Sequence, residues 1–110
     1  MTVRETAERL KLRPLAGAEG MDREIEGCYI GDLLSWVMAR ASSGDVWLTV
    51  MGNVNAIAVA ALTDAACIVL TDAAPLDEDA RIRADQQGIP VLSTEDSSYQ
   101  TAVRIAELFK

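Results

Sequence analysis

The chain predicts an α/β domain whose mainly parallel sheet is built from consecutive βα units and flanked by helices. Three observations carry that expectation. Three short apolar runs each end in small polar residues: Val46-Trp47-Leu48-Thr49-Val50 into Gly52-Asn53-Val54-Asn55, Cys67-Ile68-Val69-Leu70 into Thr71-Asp72, and Ile89-Pro90-Val91-Leu92 into Ser93-Thr94-Glu95-Asp96. A helical pattern follows every run, apolar after the first and last and polar after the middle one. With 110 residues, 50% of them apolar, the chain supports one core, so residues 1–110 are read as a single domain. Crossovers of this kind make the strands parallel, and ligands in such folds sit at the carboxyl ends of the strands, where the polar clusters fall.

The elements follow in order. Thr2-Val3-Arg4-Glu5 is a capping box that opens a short helix with Val3, Ala7 and Leu10 on one face. Leu12 to Leu15 reads as a strand, and Pro14, which has no N–H to donate, puts it at a sheet edge. A turn-rich loop spans Gly17 to Asp22. Alternation from Glu24 to Ile30 fits a half-exposed strand, broken by Gly31-Asp32. Asp32 is expected to cap the next helix, whose buried stripe would be Leu33, Leu34, Val37, Met38 and Ala41. Ser42-Ser43-Gly44-Asp45 then turns the chain into the strand Val46 to Val50. The helix from Val54 to Leu62 is apolar nearly all round, so it lies either under further layers or at an oligomer interface. After the strand Cys67 to Leu70, the helix Asp77 to Gln87 opens on Asp77, Glu78 and Asp79, which suit its positive end, and Gly88 stops it. The strand Pro90 to Leu92 precedes a last helix, Ser98 to Phe109, expected to bury Tyr99, Ala102, Val103, Ala106 and Phe109.

Composition removes several functions. The net charge of −7, with Lys and Arg scattered, argues against nucleic acid, which needs a basic stripe. No apolar stretch reaches a membrane span and the N-terminus has no signal-peptide core, so a cytoplasmic location is expected. Cys28 and Cys67 lack metal or redox spacing and read as free thiols. There is no histidine, hence no common general base and no serine triad in its usual form. Neither a Walker A loop nor a dinucleotide fingerprint occurs, and no cofactor is expected. An enzyme would have to work through Asp72, Asp96 or Ser93, and Asp72 with Asp96 could alternatively hold a hard cation.

Two non-catalytic readings remain. A small anionic metabolite or nucleotide would bind near Gly52, Asn53, Asn55, Thr71, Ser93 and Thr94, on helix N-termini and neutral donors. Because Asp72, Glu95 and Asp96 repel anions and no Lys or Arg lies in these loops, such binding should be weak unless a cation bridges. That is the alternative; the leading reading is a non-catalytic regulatory or protein-interaction module, docking on a partner enzyme or on a second copy as a homodimer, through Trp36, Ile57 and Val59.

A resemblance adds to this. Glu26-Gly-Cys-Tyr-Ile-Gly-Asp-Leu-Leu-Ser35, Gly44-Asp-Val-Trp-Leu-Thr49, Asn55-Ala-Ile-Ala-Val59 and Gly88-Ile-Pro-Val-Leu-Ser-Thr94 together resemble a DRTGG domain over about Met21 to Leu108. Asp22-Arg23 and Gly27 match the naming motif, and Cys28 stands where a second glycine is expected. The family is similar to the N-terminal domain of HPr kinase/phosphorylase. Members also occur joined to CBS nucleotide-sensing domains, or as small stand-alone proteins near iron-hydrogenase genes. The resemblance implies a regulatory or assembly module, a possible partner enzyme, and no catalytic residue, because the kinase motif belongs to a different domain.

Overall fold

In the computed structural model, which describes residues 1–110, the chain runs α1 (Val3–Leu10), β1 (Arg13–Ala16), a short 3-10 turn, β2 (Gly27–Ile30), α2 (Leu34–Arg40), β3 (Asp45–Thr49), α3 (Val54–Thr63), β4 (Cys67–Leu70), α4 (Glu78–Gln87), β5 (Val91–Ser93) and α5 (Ser98–Leu108). The strands form one sheet in the order β1-β5-β4-β3-β2. Pairing from β2 to β5 is parallel throughout, as the βα rhythm requires. At the edge, β1 is antiparallel to β5, with Arg13 opposite Ser93 and Pro14 opposite Leu92. Proline at an edge strand leaves no ladder donor missing.

Helices cover both faces. α2, α3 and α4 pack side by side on one face, while α1 and α5 pack together on the other. Alternation along β3 feeds both cores: Trp47 joins the α2–α4 side and Val46 and Leu48 the α1–α5 side. All five residues of β3 are buried, the expected state of a central parallel strand. Trp47, fully buried, donates its indole N–H to the Gly31 carbonyl at 2.9 Å. Its polar atom is thus satisfied where its ring is desolvated. None of the helices is long and apolar enough to cross a membrane.

Four sequence expectations change. The all-apolar α3 is explained within the chain, because α2 and α4 flank it while the sheet lies beneath. Ile57 is 1% exposed and Val59 5%, so both are core residues and neither is free to meet a partner. Asp32 does not cap α2, whose N-cap is Leu33 with no side-chain bond. Nor are Leu33 and Met38 buried: α2 follows the edge strand β2, and of the stripe only Val37 is fully covered. In α5 the buried pair is Thr101 and Ile105, with Ala102 and Leu108 packing beside Ile105. Tyr99, Val103 and Phe109 face outward and Ala106 is exposed. Thr101 tolerates burial because its hydroxyl donates to the Ser97 carbonyl at 2.8 Å.

Candidate functional site

The carboxyl ends of β3, β4 and β5 lie side by side, yet only one of them opens into a cleft with free polar groups. At the end of β3, Asp32 accepts from the Thr49 hydroxyl at 2.7 Å and from the Val50 N–H at 3.0 Å. The Asn53 side chain accepts from the Ala56 N–H at 2.9 Å and so caps α3. Gly52 is needed for a different approach from the one its position suggests. A Cβ there would sit 1.9 Å from the Pro75 carbonyl oxygen, and the Gly52 carbonyl accepts from the Asp77 N–H at 2.8 Å. Bare backbone at residue 52 therefore admits the lead-in to α4. Asn55 is exposed on the first turn of α3.

The end of β4 is equally closed. Thr71 is fully buried, and its hydroxyl shares a 2.8 Å bond with that of Ser98. Asp72 and Ala73 both take the left-handed conformation, φ 54° each, a strained state for residues with a Cβ. In it their N–H groups donate to the Asp96 and Thr94 carbonyls at 2.8 Å, which locks the β4 and β5 ends together.

Beyond β5 lies a cleft of about 490 Å³ whose lining includes Lys11, Arg13, Ser93, Thr94, Asp96 and Arg104. Of the sequence candidates it brings together Ser93 and Thr94, and it excludes Gly52, Asn53, Asn55 and Thr71. What the sequence reading missed is cationic. Lys11 ends α1 in a left-handed cap, Arg13 begins β1, and Arg104 lies on α5. The loops themselves carry no Lys or Arg, but three other elements bring them to the end of β5. Three cations face two carboxylates, Glu95 and Asp96, in a chain of net charge −7. Arg104 donates to Asp96 at 2.7 Å and to the Leu10 carbonyl at 2.8 Å, tying α5 to the β5 loop and to the end of α1.

A second furrow, about 280 Å³, continues past Arg13, Ala73 and Ser93 toward Leu76 and Arg81. Arg81 is engaged by Glu78 and Asp85, and this pairing holds the Glu78 carboxyl below its usual range. The thiols lie elsewhere. Cys28 on the edge strand is exposed as a residue, yet desolvation of its thiol, aided by nearby Asp45, pushes its pKa up to about 11. Complete burial pushes Cys67 up to about 12, with Cys28 adding to the effect. Both stay protonated at neutral pH and unreactive as thiolates. No cluster of three or more metal-ligating side chains occurs.

Comparison with known proteins adds a solved relative. The chain is similar to the CBS and DRTGG domains of the regulatory region of Clostridium perfringens pyrophosphatase, complexed with its activator diadenosine tetraphosphate, at TM-score 0.69 and 13% identity. The match covers 93% of this chain and 44% of that one, so it speaks to the fold. No curated protein sequence matches significantly. The DRTGG domain model matches residues 5–108, which takes in all five strands and α2 to α5 entire. The chain belongs to the DRTGG domain family, a family of regulatory modules.

Proposed function

We propose that this DRTGG domain is a non-catalytic sensor that holds a small anionic ligand in the cleft at the carboxyl end of β5 and reports its presence to an enzyme. The observation that carries this reading is the convergence of Lys11, Arg13 and Arg104 on one strand end of an acidic domain. Family membership supports the regulatory role, and the similar regulatory region of the pyrophosphatase is complexed with a polyanionic activator. The cleft offers donors and positive charge, while the two thiols, the ordinary candidates for a nucleophile, are held protonated. Two free cysteines are consistent with the cytoplasm as its place of work.

The test is a thermal-shift screen of phosphorylated and carboxylated metabolites at millimolar concentration. A ligand that binds only the native state raises the unfolding midpoint as its concentration rises. Cleft binders should raise it for the wild type and less for Lys11→Gln. A screen in which no anion moves the midpoint would remove the sensing role.

A second reading has its own observation. Leu33 and Trp36, three residues apart at the start of α2 and so on one side of it, are 62% and 56% exposed, and Arg40 stacks on the Trp36 ring at 4.3 Å. Such an apolar face suits docking, on a partner enzyme or on a second copy of the chain. Light scattering of wild type against Trp36→Ala tests self-association. Loss of a dimer mass in the variant would favour docking, and a concentration-independent monomer mass for both would exclude the homodimer.

A further inference from the structure

Resting on the reading that the cleft takes an anion, we infer that Arg13, Ser93 and Lys11 form a receiving site for a phosphate monoester. Arg13 and Ser93 are cross-strand partners at the β1–β5 edge, so their side chains leave the sheet on the same face, within reach of one ligand. Both line the cleft, and both also line the furrow that continues from it, which makes them the saddle between the two. Ser93 is only 8% exposed, and its hydroxyl bonds to no other group of the chain. Every other buried hydroxyl is engaged: Thr6, Thr49, Thr71 and Thr101 each have a partner. No fully enclosed polar atom lacks a bond, so the accessible part of Ser93 opens into the cleft. Ser93 thus presents to the cleft a hydroxyl that no group of the chain claims.

The charges match this donor. Arg104 is already committed to Asp96 and the Leu10 carbonyl, whereas neither Lys11 nor Arg13 enters any of the molecule's six salt bridges. Two unpaired cations beside a neutral hydroxyl donor balance a dianion. A guanidinium fork, an ammonium and a hydroxyl approaching from different elements suit the spread oxygens of a phosphoryl group better than one flat carboxylate. The rest of the ligand must be hydroxylated rather than greasy, because only Leu10 and Ala73 of the nine lining residues are apolar. Glu95 at the rim can accept from its hydroxyls. A cleft of about 490 Å³ with a 280 Å³ continuation has room for a sugar or nucleoside behind the phosphate.

Isothermal titration of the full chain with AMP, ribose 5-phosphate, inorganic phosphate, adenosine and citrate tests the inference. At least one of the two monoesters should bind, inorganic phosphate more weakly and adenosine without detectable heat. Which monoester binds separates a nucleotide ligand from a sugar phosphate. Arg13→Gln should weaken the bound monoester about tenfold or more, and Ser93→Ala about fivefold, since bonds to a charged phosphoryl oxygen are strong. Arg83→Gln, an exposed cation of α4 outside the cleft, should leave affinity unchanged. Circular dichroism shows that each variant is folded, and Arg13→Gln remains informative should Ser93→Ala lose structure. Monoester binding that ignores both substitutions would overturn the site. Citrate binding without monoester binding would overturn phosphoryl recognition while leaving the anionic cleft standing. Absence of heat from every anion would overturn the cleft reading and the site with it.

Discussion

The carboxyl ends of β3 and β5 look alike as sequence and differ as structure. Each strand ends in a cluster of small polar residues followed by a helix, Gly52-Asn53-Val54-Asn55 in one case and Ser93-Thr94-Glu95-Asp96 in the other. At β3 these groups serve the fold: Asn53 caps α3, Asp32 ties Thr49 and Val50, and Gly52 admits the Pro75 carbonyl. At β5 they leave the Ser93 hydroxyl, open to the cleft and bonded to no group of the chain, beside two unpaired cations. The difference comes from neighbours. β3 is a central strand with parallel partners on both sides, so its end is enclosed by other crossovers. β5 is flanked by antiparallel β1, which begins where β5 ends and so brings Lys11 and Arg13 to the same edge. A polar strand end keeps groups unclaimed by the fold when the adjoining edge strand brings charge to it and no crossover encloses it.

That contrast predicts that substitutions at the β3 end cost stability while those at β5 cost binding. The largest effect belongs to Gly52→Ala. The new methyl would lie 1.9 Å from a backbone oxygen, which cannot rotate away as a side chain can. A loss of about 3 kcal/mol is expected, the upper part of the range for overpacking. Urea denaturation followed by tryptophan fluorescence measures it. A change below about 1 kcal/mol would mean that the α4 lead-in moves freely, and the β3 end would lose its character as a rigid joint.

Next comes Asp32→Ala. Its carboxylate holds two donors, and one of them, the Thr49 hydroxyl, belongs to a residue only 1% exposed. Removal strands that donor beside the core, at a cost of about 2 kcal/mol. Asn53→Ala should follow at about 1 kcal/mol, the ordinary loss for a helix cap. Neither variant should alter the affinity for an anion at the β5 cleft, once compared under conditions where the protein is fully folded. Weakened binding in either would join the two strand ends into one site.

The same contrast explains what could be read from the chain. Apolar runs and helix signals located β3, β4, β5 and the helices after them within a residue or two, because local periodicity reports burial on both faces of a parallel sheet. Burial around a helix was less legible. The pattern reading chose Val103 and Ala106 on α5 where the chain buries Thr101 and Ile105, since a threonine that bonds its own backbone behaves as a core residue. On α2 the apolar Leu33 and Met38 stay exposed because the helix follows an edge strand. The strand-end rule points to Ser93 and Thr94, which line the cleft, and not to Lys11, Arg13 and Arg104, which line it too. Their arrival depends on a pairing between Arg13 and Ser93, residues far apart in sequence, and periodicity carries no trace of such a pairing. The one local hint was Pro14, which marked an edge strand without naming the strand beside it.

The smallest expected effect is at Asn55, and it sharpens the comparison most. By sequence Asn55 is a ligand candidate equal to Ser93: polar, at a strand end, and in the first turn of the following helix. In the structure it is exposed, contributes no side-chain hydrogen bond to the fold, and lies outside the cleft. Asn55→Ala should therefore change stability by less than about 0.5 kcal/mol, the usual range for a surface site without special contacts. Alanine's higher helix propensity makes even a slight gain reasonable. Affinity for any anion found by titration should equal that of the wild type, measured beside Ser93→Ala on the same day and buffer. If Asn55→Ala instead weakens binding as much as Ser93→Ala does, the ligand spans from β5 to the start of α3. The division between a structural end and a binding end would then have to be abandoned.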